Sequence, residues 1–112
     1  MPKYLLIYRD STEPRPQPSP EEMQGFLSMW EGWFQQFGKK IVDAGDGLLP
    51  TGRVLQPGGV VADGPYVEAK EMIGGFSVVE ASSYDEAVEI AKQCPIAVMG
   101  GPVEIREFAG YV

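Results

Sequence analysis

"IGGFSVVEASSYDEAVEIAKQCP", Ile73 to Pro95, holds a strand, a helix and the signals that separate them. Ile73 to Ala81 reads as a strand entered through paired glycines. Ser83 followed three residues later by Glu86 is a capping box. Ala87, Val88, Ile90, Ala91 and Cys94 then form the apolar side of a short helix that Pro95 is expected to stop.

The chain opens in the same order, without repeating the sequence. "KYLLIY", Lys3 to Tyr8, has Tyr4, Leu6 and Tyr8 on one side and Leu5 and Ile7 on the other, the pattern of a strand covered on both faces. "STEPRPQPSP" carries four prolines and can sustain neither helix nor ladder, so it is a loop. Ser19 as N-cap, Pro20 at the first helical position and Glu22 completing a capping box begin a longer helix. Along it Met23, Phe26, Leu27, Trp30, Phe34 and Phe37 make one apolar stripe down to Gly38, a natural C-cap, with Lys39 and Lys40 at the negative helix end. Phe26, Trp30, Phe34 and Phe37 are read as core, with Trp33 at the stripe's edge and able to line a cleft. Between the two strand–helix units lie a strand from Ile41 to Ala44 and a hairpin pairing Arg53–Leu55 with Val60–Ala62 around Pro57-Gly58-Gly59. "VEIREF" alternates as a half-buried terminal strand should.

The order is β-α-β, hairpin, β-α-β, which predicts an α+β, ferredoxin-like βαββαβ fold with an extra hairpin. Both helices would cover one face of an antiparallel sheet and leave the other bare. Burying that apolar face against a second copy predicts a homodimer.

With 112 residues, 44% hydrophobic and 22% charged, the chain reads as a single domain, 1–112. No apolar run approaches the ~20 residues of a membrane span, and the N-terminal apolar run is too short for a secretory signal. A cytoplasmic location without membrane contact is expected. A single cysteine excludes an intramolecular disulfide, and the absence of histidine removes the commonest metal ligand and the usual neutral-pH proton shuttle. A net charge of −7 argues against direct nucleic-acid binding. With no G-x-G-x-x-G or P-loop spacing, no nucleotide or other cofactor is expected.

Five motifs, "KYLLIY", "SPEE", "DGPYVEAKEMIGGF", "SYDEAVEIAKQCP" and "GGPVEIREF", follow one another in an order that resembles the YCII-related family, specifically its DGPF-domain branch. Tyr66 stands where that branch has phenylalanine. The resemblance implies a ferredoxin-like fold assembled as a dimeric α/β barrel with a cleft beside the sheet. Members have been suspected of enzymatic activity through a histidine and an aspartate. Without a histidine, only the aspartate carries over, at Asp63. Some relatives are associated with extracytoplasmic-function sigma factors.

Asp63-Gly64-Pro65 has two readings. It is a turn in which Asp bonds the backbone two residues on, Gly supplies positive φ and Pro fixes the exit, or it holds Asp63 in a cleft as a general acid or base. Lys70, beside Glu68 and Glu71, is either part of a solvated ion-pair cluster or the anchor for a ligand carboxylate or phosphate. Arg9 is a second candidate anchor, and Tyr8 and Tyr66 are candidate hydrogen-bond donors. Gly74-Gly75 is read as permitting close approach to a neighbouring strand, and Cys94 as a buried, inert thiol. The expected function is binding, or cofactor-free acid/base transformation, of a small organic molecule in a cleft near Asp63. The alternative is an accessory module acting with a sigma factor.

Overall fold

A computed structural model describes residues 1–13, 15–67 and 71–111. In chain order the elements are β1 (Lys3–Ser11), α1 (Pro20–Phe37), a 3₁₀ turn (Gly38–Lys40), β2 (Ile41–Gly47), β3 (Gly52–Leu55), β4 (Val61–Gly64), β5 (Glu71–Glu80), α2 (Tyr84–Lys92), α3 (Pro95–Val98) and β6 (Val103–Glu107). Four strands form one sheet in the order β2-β5-β1-β6, and β3 and β4 form a separate two-stranded sheet. The β1–β5, β1–β6 and β2–β5 pairs are all antiparallel. The fold is α+β and ferredoxin-like, with an added hairpin. Among the described residues no helix is long and apolar enough to cross a membrane.

The two long helices start where the serines dictate. Ser19 Oγ accepts from the Glu22 N–H at 3.1 Å while Glu22 Oε1 accepts from the Ser19 N–H at 3.2 Å, a complete capping box with Pro20 following the cap. Ser83 Oγ likewise accepts from the Glu86 N–H at 3.2 Å, but Glu86 reaches past the cap to the Ser82 N–H at 2.9 Å. Pro95 corrects the expected helix end. Helix α2 already stops at Lys92, and Pro95 takes the first position of α3, where a missing N–H is no loss. The terminal strand runs Val103–Glu107, and the hairpin pairs Arg53 with Asp63, Val54 with Ala62 and Leu55 with Val61.

Tyr4, Leu6 and Tyr8 of β1 and Val79 of β5 form the core with Trp33, Ala87, Ile90, Ala91 and Cys94 from the helical layer. Cross-strand register places Tyr4 opposite Val79 and Leu6 opposite Ser77, so one sheet face supplies this side of the core. The stripe on α1 is divided differently from expectation. Trp33, placed by its spacing at the stripe's edge, is 2% exposed and donates its indole N–H to the Ile90 carbonyl at 3.0 Å. Trp30, Phe34 and Phe37 pack only partly against the core, while Met23 and Leu27 remain exposed. Trp33 is central because α1 must meet α2 and α3 as well as the sheet, a neighbour that periodicity in one helix does not reveal.

Candidate functional site

The half of α1 that is not consumed by the core faces a cavity of about 750 Å³. Met23, Phe26, Leu27, Trp30 and Phe34 form its helical wall, opposite β1, β5 and the Ala44–Gly47 segment of β2, with Ile96 and Met99 contributing from the α3 end. Trp30 is the centre of the aromatic wall. Its ring centroid lies 5.3 Å from Tyr8, 5.9 Å from Phe26 in an edge-on arrangement and 5.9 Å from Phe34 in a stacked one. Such a surface offers planar apolar contact with preferred ring geometries.

The polar part of the wall is a short relay. Tyr8 donates its hydroxyl proton to Ser77 Oγ at 2.8 Å, and Ser77 donates to the Ala44 carbonyl at 2.8 Å. Ser77 is fully buried. The relay exists because β2 is irregular: its pairing with β5 shifts between Ile41 and Asp43 and again between Asp43 and Asp46, which brings Ala44 against Ser77. Gly45 makes this path possible. It has φ +72°, and a Cβ there would lie 1.8 Å from the Phe76 carbonyl oxygen. Burial pushes the Tyr8 hydroxyl pKa well above the usual tyrosine range, with the Ser77 hydrogen bond opposing it, so Tyr8 stays protonated.

A second irregularity aims the charged residues. Tyr8 pairs with Gly75 but Arg9 pairs with Ile73, leaving Gly74 as the extra residue. Gly74 must be small here, since a Cβ would come within 2.7 Å of Asp10 Cβ. Beyond this bulge Arg9, Asp10 and Arg15 line the cavity and also an adjoining, more open hollow of about 420 Å³. Arg9 donates to Glu104 at 2.7 Å, and that bond holds the Glu104 carboxyl below its ordinary range. Asp10 accepts from the Ser11 N–H at 2.8 Å and pairs with Arg15. The mouth is therefore charged and nearly balanced, while the interior is aromatic.

Of the residues singled out from sequence, Tyr8 and Arg9 come together at this cavity. Asp63 does not join them: it stands on β4 with its side chain 96% exposed, 3.7 Å from Arg53 across the hairpin. Tyr66, after the cis Gly64-Pro65 bond, is 74% exposed and outside the cavity lining. Lys70 lies outside the described residues. Sequence reasoning passed over Ser77, Asp10 and Arg15, and assigned Phe26, Trp30 and Phe34 wholly to the core. Ser77 did leave a signal, as a hydroxyl inside a buried strand that requires a partner. Cys94 is buried as expected, and burial raises its thiol pKa.

Residues 31–109 match the model of the YCII-related domain. A protein of Rhizobium meliloti (strain 1021), described as uncharacterized, is 38% identical over 53 residues, which are 46% of this chain and 43% of that protein. The chain thus matches less than half the length of that curated relative. Among solved structures, 5-chloro-2-hydroxyhydroquinone dehydrochlorinase from Burkholderia phenoliruptrix AC1100, in complex with 2,5-dihydroxybenzoquinone, has a TM-score of 0.54 at 18% identity, covering 95% of this chain and 92% of that one. At that identity the likeness is one of fold. The family model is independent of it and spans well over half of the residues, so the chain belongs to the YCII-related domain family.

Proposed function

We propose that the chain binds a small ring-containing organic molecule in the cavity between α1 and the sheet and transforms it by acid/base chemistry. The observation that carries this reading is the cavity itself: about 750 Å³, walled by Phe26, Trp30 and Phe34, with a buried polar relay on one side and charged residues at the mouth. That combination of apolar walls and few fixed polar groups is what small-molecule sites require. The dehydrochlorinase that shares the fold acts, by its name, on a substituted hydroquinone, which makes hydroxylated rings the first class to test. Asp10 supplies a carboxylate at the lining for proton transfer, and Arg9 and Arg15 supply positive charge for a developing anion. Asp63 is not among the residues that line this cavity. The "DGPYVEAKEMIGGF" segment supports placement in the DGPF branch, and the comparisons lend no support to the sigma-factor association.

The test is a calorimetric titration of mono- and bicyclic phenols into the wild type and Trp30→Ala, followed by mass spectrometry of any bound compound after incubation. Binding by the wild type that is lost in Trp30→Ala supports the cavity. If no ring compound binds, or if binding survives the substitution unchanged, the reading fails.

We also propose a homodimer through the sheet face that the helices leave bare. Alternation puts the half-buried Leu5 and Val78 on that face, apart from the core cluster, and a second copy would cover this apolar strip. Light scattering should give twice the chain mass for the wild type and the single mass for Val78→Asp. A monomeric wild type would overturn it.

A further inference from the structure

We propose that the polar side of the cavity is a hydrogen-bond acceptor, so that it selects ring ligands bearing a hydroxyl or N–H donor over ligands that can only accept. This deepens the function proposed above and rests on that cavity being the binding site. The direction of the relay is fixed by valence rather than by assigned hydrogens. A backbone carbonyl cannot donate, so the Ser77 hydroxyl must spend its one proton on the Ala44 oxygen at 2.8 Å. Ser77 then has only lone pairs for Tyr8, and the 2.8 Å contact between the hydroxyls requires Tyr8 to donate.

All three residues of the relay line the cavity. Both relay protons are committed inward, and because Ser77 is fully buried, the oxygen that a ligand meets is that of Tyr8, which retains lone pairs. A ligand hydroxyl donates to it at no cost to the relay. A carbonyl, ether or carboxylate oxygen placed there faces lone pairs, unless Tyr8 turns its proton to the ligand and gives up its bond to Ser77. The preference is for an uncharged donor, since the aromatic wall surrounding the relay opposes an ionised group. Polar acceptor groups of the same ligand are directed instead toward Arg9 and Arg15 at the mouth.

The matched probes are a naphthol and its methyl ether, titrated by calorimetry into the wild type, Tyr8→Phe and Ser77→Ala. The ether buries one more carbon, so burial alone favours it. The wild type should nevertheless bind the naphthol roughly three- to tenfold more tightly, the worth of one net hydrogen bond. Tyr8→Phe, which removes the terminal oxygen, should abolish most of that preference. In Ser77→Ala the Tyr8 proton loses its acceptor and turns to the ligand, so the methyl ether should gain affinity relative to the wild type. Should both probes bind the wild type with equal affinity, or the ether more tightly, the acceptor assignment is overturned while the cavity stands. Should neither bind, both readings fall together. Because the first comparison needs only the wild type, the assignment stays testable even if a variant does not fold.

Discussion

The cavity wall and the β3–β4 hairpin carry the same kinds of residue and do opposite things with them. Each has a polar side chain on a strand, facing a partner on the neighbouring strand: Ser77 hydrogen-bonded to Ala44 in one, Asp63 ion-paired with Arg53 in the other. Ser77 is fully buried, whereas the Asp63 side chain is 96% exposed. Water competes for Asp63 and screens its ion pair, so its identity as a carboxylate confers little on the fold. Water is kept from the Ser77 hydroxyl, so this single group fixes both strand geometry and, through Tyr8, the polarity that a ligand meets. Chemistry therefore follows environment more than residue type.

The widest separation between the two regions should appear in stability. Trp33, behind the cavity, fills the core and makes a buried hydrogen bond. Trp33→Ala should cost about 3–5 kcal/mol. Leu55→Ala, at a 72% exposed hairpin position, should stay within about 0.5 kcal/mol. Urea unfolding at constant m-value compares them directly. A loss from Leu55→Ala approaching that of Trp33→Ala would mean that the hairpin is buried by something, a second copy included.

A smaller difference should separate the two polar groups. Ser77→Ala removes the partner of both the Ala44 carbonyl and the Tyr8 hydroxyl, leaving buried polar atoms unmet, and should cost about 1–3 kcal/mol. Equal stability of Ser77→Ala and the wild type in urea would show the relay to be dispensable.

How far these differences were legible in the sequence depends on what each element needs to know. Capping serines, the KYLLIY strand, the glycine-rich turn and the order of elements are local or topological signals, and the ferredoxin-like architecture follows from them. The site is different because it is made by irregularities. The extra residue at Gly74 and the double shift in β2 are what carry Arg9, Asp10 and Ala44 to the cavity, and strand patterns assume regular pairing. The stripe on α1 was visible, but its division between core and cavity depends on where α2 and α3 come to rest. Asp63 was conspicuous for the opposite reason: its motif is distinctive in sequence, and distinctiveness carries no information about burial.

The mouth of the cavity sharpens the comparison through pH. Arg9 holds the Glu104 carboxyl below its ordinary range, first through their hydrogen bond. A carboxyl whose folded pKa is depressed contributes stability that is fully present above the unfolded value, about 4.3 for glutamate, and is lost as pH falls through the folded value. Wild type and Arg9→Gln should therefore differ by a constant margin near neutrality. The margin should shrink below about pH 4. A margin that persists undiminished at lower pH would assign the effect of Arg9 to packing of its stem rather than to the charge pair.

Asp63→Asn should have the smallest effect and gives the sharpest reading of the hairpin. The substitution keeps shape and removes charge from a side chain that is almost wholly exposed, so unfolding free energy should move by no more than about 0.5 kcal/mol. Its effect on ring binding separates two arrangements. If each cavity is completed by its own chain alone, naphthol affinity is unchanged, because Asp63 does not line the cavity. If the hairpin of one copy closes the cavity of another, affinity falls in Asp63→Asn and the fall depends on protein concentration, since dilution would separate the two parts of the site. A concentration-independent fall fits neither arrangement and would place Asp63 within its own chain's site.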